Sequence, residues 1–211
     1  MDFERKYTKK DILIIGGGTS TTDVKWESLI NDNTYIWSCN DFYLNSRVRE
    51  QNLDLYQLSF TTDLYDKSLI EYLNKVQPFT YFEPQHFRNK WQTEEYKLFK
   101  SRLDYDSYAM NIDIGQLQYS VGQRSGAVLR LITLALSTNA SNIYFVGFDG
   151  FNKDFNNSHA FTGHKGLKGT DTRRDWEKDY YNVFMEAYIT LGELDRDNRL
   201  QNLGEGLSYN L

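Results

Sequence analysis

The segment Ile12–Asp23, ILIIGGGTSTTD, sets the fold class of this chain. Ile12 to Ile15 form a short apolar run, which is typical of a strand buried on both faces of a parallel sheet. The three glycines that follow indicate a tight turn. The Thr and Ser residues after them are good helix caps, so we expect a helix over about Thr22–Ile30.

The same alternation of strands and helices continues along the chain. Further strands are predicted at Tyr35–Ser38, near Leu58–Phe60, at Phe79–Phe82 and at Asn142–Gly147, with a short strand or coil within Leu194–Leu203. Helices are predicted over Asp66–Val76, part of Thr93–Arg102, Ser125–Ser137 and Glu177–Leu191. We therefore predict one α/β domain over residues 1–211, built on a Rossmann-like, doubly wound, mainly parallel sheet.

Composition narrows the class of protein. The chain has 211 residues, a net charge of −5 and a single cysteine, Cys39, which cannot form an internal disulfide. No apolar run approaches the roughly 20 residues that span a bilayer, and the charged N-terminus lacks the apolar core of a signal peptide. We therefore expect a soluble, cytoplasmic protein. The negative charge disfavours electrostatically driven binding to nucleic acid.

Three segments are expected to meet where a ligand would bind. In doubly wound sheets, ligands bind outside the carboxyl ends of the strands, and Gly16–Thr22, Cys39–Tyr43 and Gly147–His164 each follow a predicted strand. The glycine turn reads G-x-G-x-x-T, so Thr21 stands where a dinucleotide-binding fingerprint has its third glycine. This pattern favours binding of some nucleotide and leaves a dinucleotide as an alternative.

The acidic and histidine motifs do not predict a metal site. Asp104 and Asp106 form a D-x-D, which some metal-dependent glycosyltransferases use, but two acids in an acid-rich chain more often form a solvated surface. His159, His164 and Asp171 match no zinc-binding spacing.

Five motifs occur in a fixed order along the chain. They are Ile14–Ser20, Cys39–Tyr43, Arg124–Gly126, Gly147–Phe151 and His159–His164. In order and rough spacing they resemble the G-N-G-P-S, C-N-Q-F-Y, T-S-G, G-I-D-F-Y and Y-A-F…G-H motifs of the bacterial sialyltransferases of glycosyltransferase family 42. These enzymes use CMP-activated sialic acid. The resemblance covers the first 43 residues and about Gly122–Leu191, and Gln51–Tyr119 shows no match.

The resemblance implies an inverting, metal-independent glycosyltransferase whose nucleotide-sugar donor, CMP-linked in the family, is a substrate; no cofactor is implied. His164 becomes the general base, a role that suits imidazole because its pKa lies near neutral pH. His159 and Arg124 would contact the leaving phosphate, and residues 152–171 would form a lid. The implied donor-binding residues are Gly16, Gly17, Gly18, Ser20, Asn40, Ser125, Gly126 and Asp149.

Several departures from the family pattern leave the substrates open. Gly17 replaces an Asn, and Phe151 and His159 stand where the family has Tyr. The family's basic C-terminal tail is absent, so the acceptor could be a glycan or a hydroxymethylated base in DNA. Two alternative functions remain: another nucleotide-using enzyme, such as a pyrophosphokinase or a dinucleotide-dependent oxidoreductase, or a non-catalytic nucleotide-binding module. The oligomeric state is not predicted.

Overall fold

The structure is a computed structural model that describes residues 6–40, 42–58, 66–82, 97–109, 127–148 and 189–204. Within these residues the chain forms one seven-stranded sheet. The strands are β1 (Asp11–Ile15), β2 (Thr34–Cys39), β3 (Leu55–Leu58), β4 (Phe79–Phe82), β5 (Ser107–Ala109), β6 (Asn142–Val146) and β7 (Leu200–Asn202).

The sheet has the order β5-β4-β3-β2-β1-β6-β7, and every neighbouring pair is parallel. The predicted Rossmann-like parallel sheet is therefore confirmed. The strand order runs outward from β1 in one direction through β5 and then restarts on the other side of β1 with β6. The carboxyl ends of β1 and β6 thus form the topological switch point, which is where ligands of such sheets bind.

Helices cover both faces of the sheet. The α-helices with defined bounds are α1 (Ser20–Asp23), α2 (Ser46–Arg49), α3 (Lys67–Val76) and α4 (Ala127–Leu136). Trp26–Leu29 and Phe42–Leu44 are 3₁₀ turns, and residues 97–100 and 189–194 are also helical. In the described part of the chain, no helix is long and apolar enough to cross a membrane.

The core is divided by the sheet, because successive residues of a strand point to opposite faces. Ile12 and Ile14 of β1 belong to the cluster that contains α4, whereas Leu13 and Ile15 belong to the cluster that contains α3 residues. Helix α4 has eight buried residues out of ten, which confirms the prediction of a buried helix in this segment.

One predicted helix is wrong in its extent. The sequence predicts a continuous helix over Thr22–Ile30, but α1 ends after one turn and Val24 has extended backbone angles (φ −85°, ψ 139°). The carbonyls of Thr21, Thr22 and Val24 accept hydrogen bonds from the side chain of Arg47. These carbonyls therefore have a partner from another part of the chain, and a long helix is not needed to satisfy them.

The other predicted elements agree with the structure within a few residues. Strand β3 spans Leu55–Leu58 and overlaps the predicted position at Leu58, while Ser59 and Phe60 lie outside the described residues; Leu194–Leu203 contains β7. Strand β5 and helix α2 were not predicted. Most of the predicted helix Glu177–Leu191 and the whole candidate lid, residues 152–171, lie outside the described residues.

Candidate functional site

The carboxyl ends of β1 and β6 are joined backbone to backbone. The Gly16 amide donates to the Val146 carbonyl at 2.8 Å, and the Gly18 amide donates to the Gly147 carbonyl at 2.9 Å. A Cβ on Gly16 would lie 2.6 Å from the Gly147 oxygen, so no larger residue fits without a shift of the backbone. Gly147 has a φ of +73°, which favours glycine. The switch point is therefore built from two glycine-containing turns in direct contact.

Ser20 adds a side-chain hydrogen bond to this joint, the contact between the Gly16–Gly18 turn and Gly147. Its Oγ accepts a 2.9 Å hydrogen bond from the Gly147 amide, and the residue is buried. The side chain that the family resemblance implies for donor binding therefore also connects the turn after β1 to the end of β6.

Thr21 holds the glycine turn from the other side. Its Oγ1 donates to the Gly18 carbonyl at 2.8 Å and accepts from Nδ2 of Asn45 at 3.0 Å. Its methyl group lies against the other turn, since a Cβ on Gly147 would come within 2.6 Å of Thr21 Cγ2. Thr21 thus fills the space at the position where the dinucleotide fingerprint has a glycine.

Asn40 follows β2 at the same edge of the sheet. It is buried and has a left-handed backbone (φ 52°), which Asn adopts more readily than most residues. Its amide donates to the Gln57 carbonyl at 2.9 Å, and its carbonyl accepts from the Tyr56 hydroxyl. Its backbone conformation is therefore set by contacts with β3.

The segment after Asn40 returns to the glycine turn. Asn45 caps α2 by accepting from the Arg47 amide at 3.0 Å. The Arg47 guanidinium donates to Glu27 (2.5 Å from Nε to Oε1) and lies over the Trp26 ring, 4.9 Å from its centroid. Hydrogen bonding from Arg47 lowers the pKa of Glu27 below its usual range. The ion pair of Arg47 and Glu27 lies beside the glycine turn, and the two charges neutralise each other.

The predicted donor-binding residues that the structure describes carry no charge. Five of the predicted donor-binding residues, Gly16, Gly17, Gly18, Ser20 and Asn40, lie together at the carboxyl ends of β1 and β2. Their side chains are neutral, and the backbone amides of Gly16, Gly18 and Asn40 donate to the carbonyls of Val146, Gly147 and Gln57. The other predicted site residues, Arg124, Ser125, Gly126, Asp149, His159 and His164, lie outside the described residues.

Two described residues adjoin that second group in sequence. Phe148 directly precedes Asp149 and follows Gly147 at the switch point. Ala127 directly follows Gly126 and begins α4, which packs against the sheet and leads by a short connection to the amino end of β6. Since α4 ends near the amino edge, it begins toward the carboxyl edge, the same edge as the glycine turn.

The D-x-D motif lies elsewhere. Asp104 and Asp106 are exposed and precede β5, so they are at the amino edge of the sheet. This position agrees with the interpretation as a solvated surface. In contrast, Asn45 and Arg47 were not singled out from the sequence, although an Asn directly before Ser46–Arg49 is a recognisable helix-capping signal.

Comparison with known proteins finds similar solved structures but no match in sequence. No protein-family model and no curated protein matches the sequence. The fold is similar to that of the monofunctional alpha-2,3-sialyltransferase Cst-I from Campylobacter jejuni, with a TM-score of 0.66 and 13% identity, over 93% of this chain and 76% of that chain. It is also similar to CstII from the same organism in complex with the substrate analogue CMP-3FNeuAc, with a TM-score of 0.62 and 17% identity, over 94% and 83% of the two chains.

A further solved structure is CstII with a trisaccharide acceptor and CMP, which has a TM-score of 0.62 and 16% identity, over 94% of this chain and 83% of that chain. At these identities the likeness establishes the fold. The resemblance that the five motifs indicate is thus confirmed structurally: this chain has the fold of the Campylobacter sialyltransferases.

Proposed function

We propose that this protein is a glycosyltransferase that moves a sugar from a CMP-linked donor to an acceptor hydroxyl. The observation that carries the proposal is the joint between Gly16–Gly18 and Gly147 at the switch point of a sialyltransferase-like sheet. One of the similar structures binds a CMP-sugar analogue, and another binds CMP with a trisaccharide acceptor.

The glycine turn suits the phosphate of such a donor. Side chains are absent at three successive positions, so a ligand can approach the backbone closely. Gly17 is buried, and its backbone has no hydrogen-bond partner among the described residues. Its amide is therefore available to a donor oxygen, while the neighbouring amides of Gly16 and Gly18 hold the turn against β6. Asn40 is proposed to contact the nucleotide from the end of β2.

The chemical step is assigned from the family resemblance. His164 would accept the proton of the acceptor hydroxyl as that oxygen forms a bond to the anomeric carbon. The bond from that carbon to the phosphate oxygen would break at the same time, and CMP would leave with the electron pair. Attack opposite to the leaving group inverts the anomeric configuration. His159 and Arg124 would stabilise the negative charge on the leaving phosphate, and metal would not be required.

The remaining predicted residues would complete the proposed site. Ser125 and Gly126 would line the donor at the start of α4, and Asp149 would do so after β6. Residues 152–171 would close over the donor and exclude water, which limits hydrolysis. We propose a glycan as the acceptor, because a similar structure holds a trisaccharide acceptor.

The test is donor turnover in the presence of EDTA. Purified protein is incubated with CMP-sialic acid, UDP-sugars and GDP-sugars, and released nucleotide is measured. We expect slow release of CMP that accelerates when a glycan acceptor is added. Turnover of ATP or a nicotinamide dinucleotide instead would favour the alternative enzymes. Nucleotide binding without turnover would favour a non-catalytic module, and no binding would contradict the proposal.

The acceptor is tested in the same reactions. Oligosaccharides and a duplex containing hydroxymethylcytosine are supplied in parallel with the donor that is turned over. Transfer to the oligosaccharide supports the glycan acceptor. Transfer only to the duplex would instead identify a DNA-modifying enzyme, and its binding to DNA would then weaken steeply with salt.

A further inference from the structure

We propose that Asn45 and Thr21 are positioning residues that hold the glycine turn in the shape that binds the donor phosphate. This inference rests on the proposed function and extends it to two residues outside the family motifs used above. It assigns to Asn45 a role in donor affinity in addition to its role as the cap of α2.

The two side chains form a directed chain of hydrogen bonds. Oδ1 of Asn45 accepts from the Arg47 amide, which leaves Nδ2 to donate to Thr21 Oγ1 at 3.0 Å. Since the Thr21 oxygen accepts this bond, its own proton is donated to the Gly18 carbonyl at 2.8 Å. Both side chains are buried, with 6% of Asn45 and none of Thr21 exposed, so water does not compete with these bonds.

These hydrogen bonds restrain the backbone groups on both sides of Gly18. The Gly18 amide donates to the Gly147 carbonyl, and the Gly18 carbonyl accepts from the Thr21 hydroxyl at 2.8 Å and from the Thr21 backbone amide at 3.2 Å. A trans peptide is planar, so a fixed Gly18 carbonyl also fixes the Thr19 amide, which points in the opposite direction. The hydrogen bond from the Thr21 hydroxyl therefore helps to set the orientation of the peptide between Gly18 and Thr19.

A second set of contacts holds the other end of the turn. The Arg47 guanidinium donates to the carbonyls of Thr21, Thr22 and Val24, with 2.7 Å to Thr22 and 2.8 Å to Val24. Asn45 and Arg47 both belong to the segment that follows Asn40. The glycine turn after β1 is thereby tied to the residues that directly follow the predicted segment Cys39–Tyr43.

Such a connection matters because a turn of three glycines has an unusually large number of accessible backbone conformations. A binding site made of backbone amides keeps its affinity only if those amides are held close to the productive geometry. Asn45 and Thr21 supply this restraint from outside the turn, without touching the ligand.

The experiment measures the Kd for CMP by calorimetry, well below the unfolding midpoint of each variant. Thr21→Val keeps the shape of the side chain and removes the hydroxyl. We expect its Kd to rise about tenfold, which corresponds to the loss of one buried hydrogen bond. Thr21→Ser restores the hydroxyl and should return the Kd to within about twofold of the wild type, since the donor to Gly18 is regained.

Asn45→Ser provides an independent variant if Thr21→Val does not fold. Serine keeps an uncharged capping oxygen for α2 but has no amide donor for Thr21, so the Kd should again rise. Thr34→Val is the matched control. Thr34 makes the same kind of bond, from its Oγ1 to the Leu29 carbonyl at 2.7 Å, but at the amino edge of the sheet. Its Kd should not change.

The outcomes separate this inference from the proposed function. If the wild type binds CMP but Thr21→Val and Asn45→Ser bind it equally well, the inference is wrong and the proposed function stands. A purely structural role would lower their unfolding midpoints and leave the Kd unchanged, which also overturns the inference. If the wild type binds no nucleotide, both proposals fail.

Discussion

Gly16 and Gly147 contact each other through their backbones at the carboxyl ends of β1 and β6, 131 positions apart in the sequence. The contact leaves no room for a Cβ on either residue, because one on Gly16 would lie 2.6 Å from the Gly147 oxygen and one on Gly147 would lie 2.8 Å from the Gly16 carbonyl carbon. It joins the first strand to the strand on the other side of the switch point. Fold and candidate site therefore depend on the same pair of residues.

Replacement of either glycine by alanine should destabilise the protein. For Gly16→Ala we expect a loss of about 2–3 kcal/mol in the free energy of unfolding, because the backbone of β6 must move to admit the methyl group. Gly147→Ala should cost at least as much, since it adds backbone strain at a φ of +73°. Urea denaturation followed by circular dichroism measures both. The control is Gly192→Ala, within the helical residues 189–194, where alanine is favoured; a similar loss there would contradict the explanation.

Arg47→Lys should be destabilising although it keeps the charge. Lysine has one terminal nitrogen, which cannot take the three separate positions from which the guanidinium nitrogens donate to Glu27 and to the carbonyls of Thr22 and Val24. It also lacks a flat group to stack on Trp26. We expect a loss of about 2 kcal/mol in the free energy of unfolding. Arg49→Lys is the matched control, because Arg49 lies in the same helix and is exposed. Equal effects of the two substitutions would show that the contacts of Arg47 do not matter.

The ion pair of Arg47 and Glu27 predicts that the free energy of unfolding depends on pH. Arg47 lowers the pKa of Glu27, so the carboxylate stabilises the folded state above the ordinary pKa of glutamate, and this contribution is lost as the pH falls through the lower pKa of the folded state. The difference in stability between the wild type and Glu27→Gln should therefore shrink below about pH 4. Denaturation curves at pH 3 and pH 7 measure it. A difference that is constant between these two values would argue against the ion pair.

The charge of Asp54 should have the opposite effect on stability to the charge of Glu27. Its carboxylate accepts from the Ile36 amide at 2.8 Å, but burial raises its pKa, so its charge destabilises the folded state at neutral pH. Asp54→Asn keeps an acceptor without the charge and should not lower the stability at pH 7. Asp54→Ala should cost about 1–2 kcal/mol, because the Ile36 amide loses its partner. As the pH falls from above the raised pKa towards the ordinary value of about 3.9, the wild type should gain stability relative to the Asn variant. A lower stability of the Asn variant at pH 7 would contradict this reasoning.

His164→Ala should separate donor binding from transfer. If His164 is the general base, the variant should bind CMP as the wild type does, while kcat for transfer falls about 100-fold or more. His159→Ala should instead slow both donor hydrolysis and transfer, since a contact to the leaving phosphate serves both reactions. Single-turnover measurements with the donor and acceptor identified above distinguish the two. Unchanged transfer by His164→Ala would remove the assignment of the base.

Much of the fold could be read from local patterns. The strands β1, β2, β4 and β6 are predicted by their short apolar runs, and α3 is predicted by the helical spacing of its apolar residues. Helix α4 is predicted by a segment that is apolar almost all round. The glycines after β1 predict the turn, and their position after a strand predicts that the turn lies at the ligand-binding edge. The donor-binding role of Gly16, Gly17, Gly18, Ser20 and Asn40 comes from the family resemblance and stays a prediction, and the structure brings these residues to the same edge.

Other features depend on contacts between distant parts of the chain. β5 has only three residues, Ser107–Ala109, too few for a hydrophobic pattern, and it is a strand because β4 supplies its hydrogen-bond partners. Thr21 looks like a poor match to a nucleotide-binding fingerprint. The role of Thr21 follows only from the tertiary contact with Asn45. Because the Thr21 hydroxyl accepts a hydrogen bond from Asn45, its own proton is donated to the Gly18 carbonyl.

The sequence by itself determined the parallel sheet, the glycine turn and the edge at which a ligand would bind, since hydrophobic period and glycine placement act within a few residues. Only the tertiary structure decided that α1 would end after one turn and that Asn45 and Arg47 would hold the glycine turn. The physical reason is that backbone carbonyls accept hydrogen bonds from whichever donor the folded chain brings near. Here that donor is the Arg47 side chain, 25 residues beyond Thr22.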